Sequence, residues 1–195
     1  MKKILFLCLL LSCNLFSADQ AANKILIALI NSFGQSDSQI VVDDIVCTLD
    51  CGGANVNCTN QCGDSPLIIA ARHKQNNRAL MHVLLTRGAN INASGEFGMS
   101  PLTWSAHNGN FDAVEFLLQR GARINMPNIF GITPLMWAVI SRNREIAKLL
   151  LDNHALLDLV DKRGRKAFDI ARENKFEEME QLLDSYVVAV PGAAD

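Results

Sequence analysis

The 195-residue chain has no excess of one charge and no basic block. Eighteen Lys and Arg face 20 Asp and Glu, for a formal charge of −2. Nucleic acid is therefore excluded as its main partner, because phosphate binding needs a clustered positive face. It also lacks an apolar run long enough to cross a bilayer. The longest candidate, 4–11, is far below the roughly 20 residues a spanning helix needs. Catalytic constellations are missing too. The four histidines, His73, His82, His107 and His154, belong to no nucleophile, metal or phosphate motif, so no enzyme and no cofactor is expected. Beyond Cys62 there is no cysteine at all.

The short apolar run has a different meaning. Lys2 and Lys3 precede it, and Ser12-Cys13-Asn14-Leu15-Phe16-Ser17-Ala18 follow. A positive start, a brief apolar core and small residues beyond are the parts of a secretory signal. Residues 1–18 are read as that signal, with cleavage after Ser17 or Ala18. An alternative is Leu10-Leu11-Ser12-Cys13, a lipobox-like stretch that ends the signal at 12 and leaves a lipid anchor on Cys13. Either way the expected destination is periplasmic, secreted or envelope-anchored. Without Lys2 and Lys3, 16 basic residues face 20 acidic ones, a charge of −4.

What the chain does have is a repeated turn. Phe130-Gly131-Ile132-Thr133-Pro134-Leu135 combines a glycine suited to positive φ, a threonine able to cap a helix and a proline at the first helical position. Gly98-Met99-Ser100-Pro101-Leu102 lies 33 residues earlier, Gly63-Asp64-Ser65-Pro66-Leu67 another 35 before, and Gly164-Arg165-Lys166-Ala167-Phe168 33 after. An exit motif keeps the same period: Gly53-Ala54-Asn55-Val56-Asn57, Gly88-Ala89-Asn90-Ile91-Asn92, Gly121-Ala122-Arg123-Ile124-Asn125, and a weaker His154-Ala155-Leu156-Leu157-Asp158. Between them run helical patterns such as Leu80-Met81-His82-Val83-Leu84-Leu85, with one polar slot among five apolar ones. A fixed period of this length is the mark of stacked helical repeats. The expected organisation is a degenerate N-terminal cap at 19–59, repeats at 60–94, 95–127 and 128–160, a charged C-terminal cap at 161–186 and a tail at 187–195. In the first of these, 19–33 and 40–49 read as helices, and the extra residues of the 60–94 repeat fall near Lys74 to Asn77.

Gly-x-Thr-Pro-Leu, a helix, then Leu-Leu-x-x-Gly-Ala with Asn at 33-residue spacing resembles the ankyrin repeat over about 20–186. The resemblance implies an all-α solenoid of four to five units, each a β-turn finger with two antiparallel helices. It also implies binding of a protein partner through fingers and first helices. One departure stands out: the histidine that usually follows Pro-Leu is replaced by Ile68, Thr103, Met136 and Asp169, which removes a local hydrogen-bonding group.

The binding surface is read slot by slot. The first finger slot holds Gln61, Glu96, Ile129 and Lys162; the second holds Cys62, Phe97, Phe130 and Arg163; the slot after the glycine holds Asp64, Met99, Ile132 and Arg165. Phe97, Met99, Ile129, Phe130 and Ile132 make an apolar centre with a polar rim, continued by Ile140 and His107 at the ends of first helices. Such a centre serves a partner or packs finger against finger. Trp104 and Trp137 share one slot in successive repeats, as inter-repeat packing or as a groove floor. Cys47, Cys51, Cys58 and Cys62 cluster within 16 residues. In an exported chain this points to disulfides, with three possible connectivities. Free thiols and a cysteine-based metal or redox module are the alternatives. A monomer is expected.

Overall fold

The computed structural model describes residues 18–32, 48–50, 53–73 and 78–187. Residues 1–17, most of the 40–49 segment, the 74–77 loop, Cys47 and Cys51, and the tail from 188 lie outside them. Besides the helical residues 48–50, the described residues hold these α-helices: α1 Ala18–Ser32, α2 Pro66–Arg72, α3 Arg78–Thr86, α4 Pro101–Asn108, α5 Phe111–Gln119, α6 Pro134–Ile140, α7 Arg144–Asp152, α8 Ala167–Glu173 and α9 Glu177–Val187. No strand occurs among them.

The helix starts follow from local chemistry. Ser65, Ser100 and Thr133 sit in extended conformation, and their hydroxyls accept the amides of Ile68, Thr103 and Met136 at 3.4, 3.1 and 3.3 Å. Each is followed by a proline whose missing N–H would have been unpaired in any case. At α8 the proline is Ala167, and capping comes from inside the helix. The Asp169 carboxylate accepts the Lys166 amide at 2.9 Å, one half of a capping box. The expected loss of local bonding at the replaced histidine positions is thus made good twice, by Asp169 here and by Thr103, whose hydroxyl lies 2.8 Å from that of Ser100.

The helix ends are equally regular. Gly88 and Gly121 adopt φ of +85° and +83°. The amides of Ala89 and Ala122 reach back to Leu84 and Leu117, both at 3.0 Å, and so close the last turn. His154 takes the same place with φ +67°, and Ala155 bonds Leu150 at 3.0 Å, so the weak fourth copy is a true one. A β-carbon is strained there. His154→Gly is expected to stabilise the protein by about 0.5–1 kcal/mol, after the entropy that glycine adds to the unfolded chain. A rise in the urea midpoint at unchanged slope checks it.

The chain divides into two compact units, one ending at Asn90 and one beginning at Ile91. In the first, Ala22, Leu26 and Ile30 form a buried stripe on α1 at intervals of four residues, and α1 packs on α2, which pairs with α3. In the second, three hairpins (α4–α5, α6–α7, α8–α9) stack as an α-repeat solenoid. The first helices α4, α6 and α8 make one layer and the second helices α5, α7 and α9 the other. Leu102, Leu117, Leu135, Val139, Leu150 and Ile170 fill the space between, each no more than 1% exposed.

The exit asparagines turn out to be a ladder. Within the second unit the Oδ1 of Asn92 accepts the Arg123 amide at 2.8 Å, and that of Asn125 accepts the Leu156 amide at 3.0 Å. Within the first, Asn23 serves Asn55 at 2.7 Å and Asn57 serves Asn90 at 2.8 Å. Asn57, Asn92 and Asn125 each satisfy a loop amide of the following repeat, and Asn23 of α1 satisfies one within its own, in place of the strand pairing that an all-helical stack lacks.

Candidate functional site

The fingers are built by one device. Asn60, Asn128 and Asp161 each point a side-chain oxygen at two amides of their own turn. Asn60 takes those of Cys62 and Asp64, Asn128 those of Phe130 and Ile132, and Asp161 those of Arg163 and Arg165, all at 2.8–2.9 Å. These are Asx turns. A glycine at φ +83°, +78° and +76° (Gly63, Gly131, Gly164) then reverses the chain into the capped helix. The second finger has Gly95 in the Asx position. Its turn is a 3₁₀ segment, Glu96–Gly98, in which Phe97 itself adopts φ +54°. The sequence reading missed this device, although Asn60, Gly95, Asn128 and Asp161 stand at the repeat spacing.

Adjacent fingers of the second unit are tied by backbone bonds. The Ile129 amide donates to the Phe97 carbonyl at 3.0 Å, and the Lys162 amide to the Phe130 carbonyl at 2.9 Å. Equivalent side chains therefore stand in a row. Phe97, Ile129 and Phe130 are 52%, 51% and 48% exposed. The Phe97 and Phe130 rings are 6.3 Å apart, inclined by 34°. Finger-to-finger packing and exposure thus coexist: the rings touch each other and still leave half their surface to solvent.

Not all of the expected centre is there. Met99 was expected on this face and is only 2% exposed. After the positive-φ glycine the chain turns inward, so the residue that follows points beneath the finger. Met99 instead meets the buried Asn128, whose Nδ2 lies 3.6 Å from the sulfur. Asp64, in the same slot, is buried and bonded to Arg72 at 2.7 Å. Ile132 is half-buried, as are His107 and Ile140. Ile140 is six residues beyond Pro134, about 9 Å along α6, and His107 stands at the equivalent place on α4.

His107 is held by its neighbours. Its ring packs edge-on against Trp137 at 4.5 Å and Trp104 at 5.8 Å, and the Ser141 hydroxyl donates to its carbonyl at 2.9 Å. The two tryptophans, both half-buried, are bridged across repeats by this imidazole. His82 and His154 are exposed, as their slots implied. At His73 burial pushes the pKa down, partly offset by a hydrogen bond to the Ile30 backbone.

Of the four clustered cysteines, Cys58 and Cys62 are free thiols. Cys62 is exposed on its finger; burial pushes the Cys58 thiol up, against a backbone hydrogen bond. Among the described residues no group of three or more His, Cys, Asp or Glu could hold a metal ion.

The fourth finger is basic. Asp161-Lys162-Arg163-Gly164-Arg165-Lys166 carries four cations and one acid. Asp161 is buried, and Arg165 grips its carboxylate through Nε and Nη2 at 2.9 and 2.8 Å while bonding Glu173 at 2.9 Å. Burial would raise the Asp161 pKa, but the bonds from the Arg165 amide and guanidinium and the Arg163 amide outweigh it and hold it below the usual carboxylate range. Lys162 and Arg163 project outward, both exposed.

Comparison with known proteins agrees with this geometry. Residues 39–128 match a family model of ankyrin repeats in three copies, and 106–151 match one of ankyrin repeats in many copies. Curated proteins give no significant match. Among the described residues no helix is long and apolar enough to cross a membrane. With the repeat period, the capped helix pairs and two family models together spanning 39–151, the chain belongs to the ankyrin-repeat family.

Proposed function

We propose that the chain is an exported, monomeric interaction module that captures a protein partner on the finger face of 95–163 and catalyses nothing. One observation carries the reading: Phe97, Ile129 and Phe130, three large apolar side chains, stand half-exposed in a row on fingers tied by backbone bonds. Aromatic anchors on a rigid support are what binding hot spots are made of, and exposed apolar patches with polar rims mark interaction surfaces. Ankyrin repeats in general mediate protein–protein contacts. Export rests on the Lys2-Lys3 start and the apolar run at 4–11.

The test is the double variant Phe97→Ser, Phe130→Ser, used as bait beside the wild type against envelope and secreted fractions. Partner recovery is expected to fall at least about tenfold, since each buried aromatic anchor is worth roughly 2 kcal/mol or more. Folding should lose no more than about 4 kcal/mol, from the ring pair and the buried half of each ring, with helical content retained. Unchanged recovery, or a collapse of the thermal transition, would assign these rings to packing instead.

A further inference from the structure

Resting on that reading of the finger face, we infer that the partner segment carries an apolar anchor with acidic residues beside it, on the side of the fourth finger. The repeat geometry puts equivalent slots in line. The first slot runs Glu96, Ile129, Lys162 and the second runs Phe97, Phe130, Arg163. The bonds from Ile129 to Phe97 and from Lys162 to Phe130 fix that order in space. The face therefore passes from an apolar step directly to a cationic one.

The two ends of the row are not equivalent. Glu96 is half-buried and engaged within the protein. Lys162 and Arg163 are exposed. The nearest acid in their own turn cannot neutralise them. Asp161 is buried, turned inward, and already bonded by two turn amides and the Arg165 guanidinium. Arg165 also ties down Glu173, so that carboxylate is spoken for as well. What remains outward is positive charge next to Ile129 and Phe130.

A partner that seats an aromatic or aliphatic side chain against Phe97 and Phe130 brings its neighbouring residues over Lys162 and Arg163. Packed helices are 8–10 Å apart, so one finger step equals about three residues of extended chain. Acidic residues about three positions from the anchor would meet the cations; basic ones there would be repelled. Complementarity of this kind sets partner choice and association rate more than total affinity.

Selection of random dodecapeptides displayed on phage against the purified full chain tests this. Enriched peptides are expected to pair a Phe, Trp or Leu with Asp or Glu within about four residues. Enrichment should fall at least tenfold on Lys162→Glu, Arg163→Glu bait whose circular dichroism is unchanged. The Kd of the best peptide should rise about tenfold between 0.05 and 0.5 M NaCl, as screened charge pairs require. Peptides without acidic bias, equally enriched on both baits yet lost on the Phe97→Ser, Phe130→Ser bait, overturn the charge inference and leave the finger face standing. Peptides indifferent to that double Phe variant overturn the finger reading itself. Tighter direct binding of a 20-mer oligothymidylate than of the best peptide overturns the inference in favour of nucleic acid. No enrichment over bare beads overturns both readings.

Discussion

Gly131→Ala is expected to destabilise the protein by about 3 kcal/mol, while the same change at Gly164 costs about 1–2 kcal/mol. Both glycines close a finger at positive φ, +78° and +76°. The conformational penalty of a β-carbon is therefore common to both. The difference is what the new methyl meets. At Gly131 it would lie 2.9 Å from the Lys162 amide nitrogen and 3.0 Å from the Asp161 Cα. These are backbone atoms of the next finger and cannot swing aside. Relief would have to stretch the Lys162–Phe130 backbone bond, whose loss adds about 1 kcal/mol. At Gly164 nothing lies within 4 Å. Urea denaturation of the two variants measures the contrast; equal midpoints would mean that the fingers are not closely apposed.

Asp161→Ala is expected to cost about 3 kcal/mol, and Asp161→Asn less, about 2 kcal/mol. Alanine leaves the amides of Arg163 and Arg165 without their acceptor and leaves the Arg165 guanidinium with Glu173 as its remaining partner. Asparagine keeps the Oδ1 that closes the turn, as Asn60 and Asn128 do in their own fingers, but puts an NH2 donor where Oδ2 accepted both bonds from the Arg165 guanidinium. The pH dependence has a definite sign. Because the folded carboxyl lies below its ordinary value, its contribution is complete above about pH 4 and disappears as pH falls through the lower folded value. The wild type should therefore lose more of its urea midpoint between pH 7 and pH 3 than Asp161→Asn does. Equal losses would show that this ion pair is not linked to folding.

Legibility differed from residue to residue. Gly131, Thr133 and Pro134 were readable because each acts on its own backbone: positive φ, an oxygen for an amide three residues on, and a missing N–H where none is needed. The same was true of the exit turns, even where His154 replaces glycine. Asn128 and Asp161 also act locally, but asparagine is common in loops, and only the repeat spacing distinguishes these positions. Met99 was misplaced because a methionine one residue past a turn is equally apolar whether it faces in or out.

The period, the helix starts and stops and the family are legible without any structure, since they depend on preferences expressed within four or five residues and repeated about every 33. Stacking sets the rest: which apolar finger residues remain exposed, that Asn92 and Asn125 serve the amides of the next repeat, and that Asp161 is occupied by Arg165 while Lys162 and Arg163 face outward. Those outcomes depend on which repeat stacks beside which. Phe97, Ile129 and Phe130 keep half their surface because the neighbouring finger covers only one side of them. Burial is a property of neighbours 33 residues away in the chain, and no local preference encodes it.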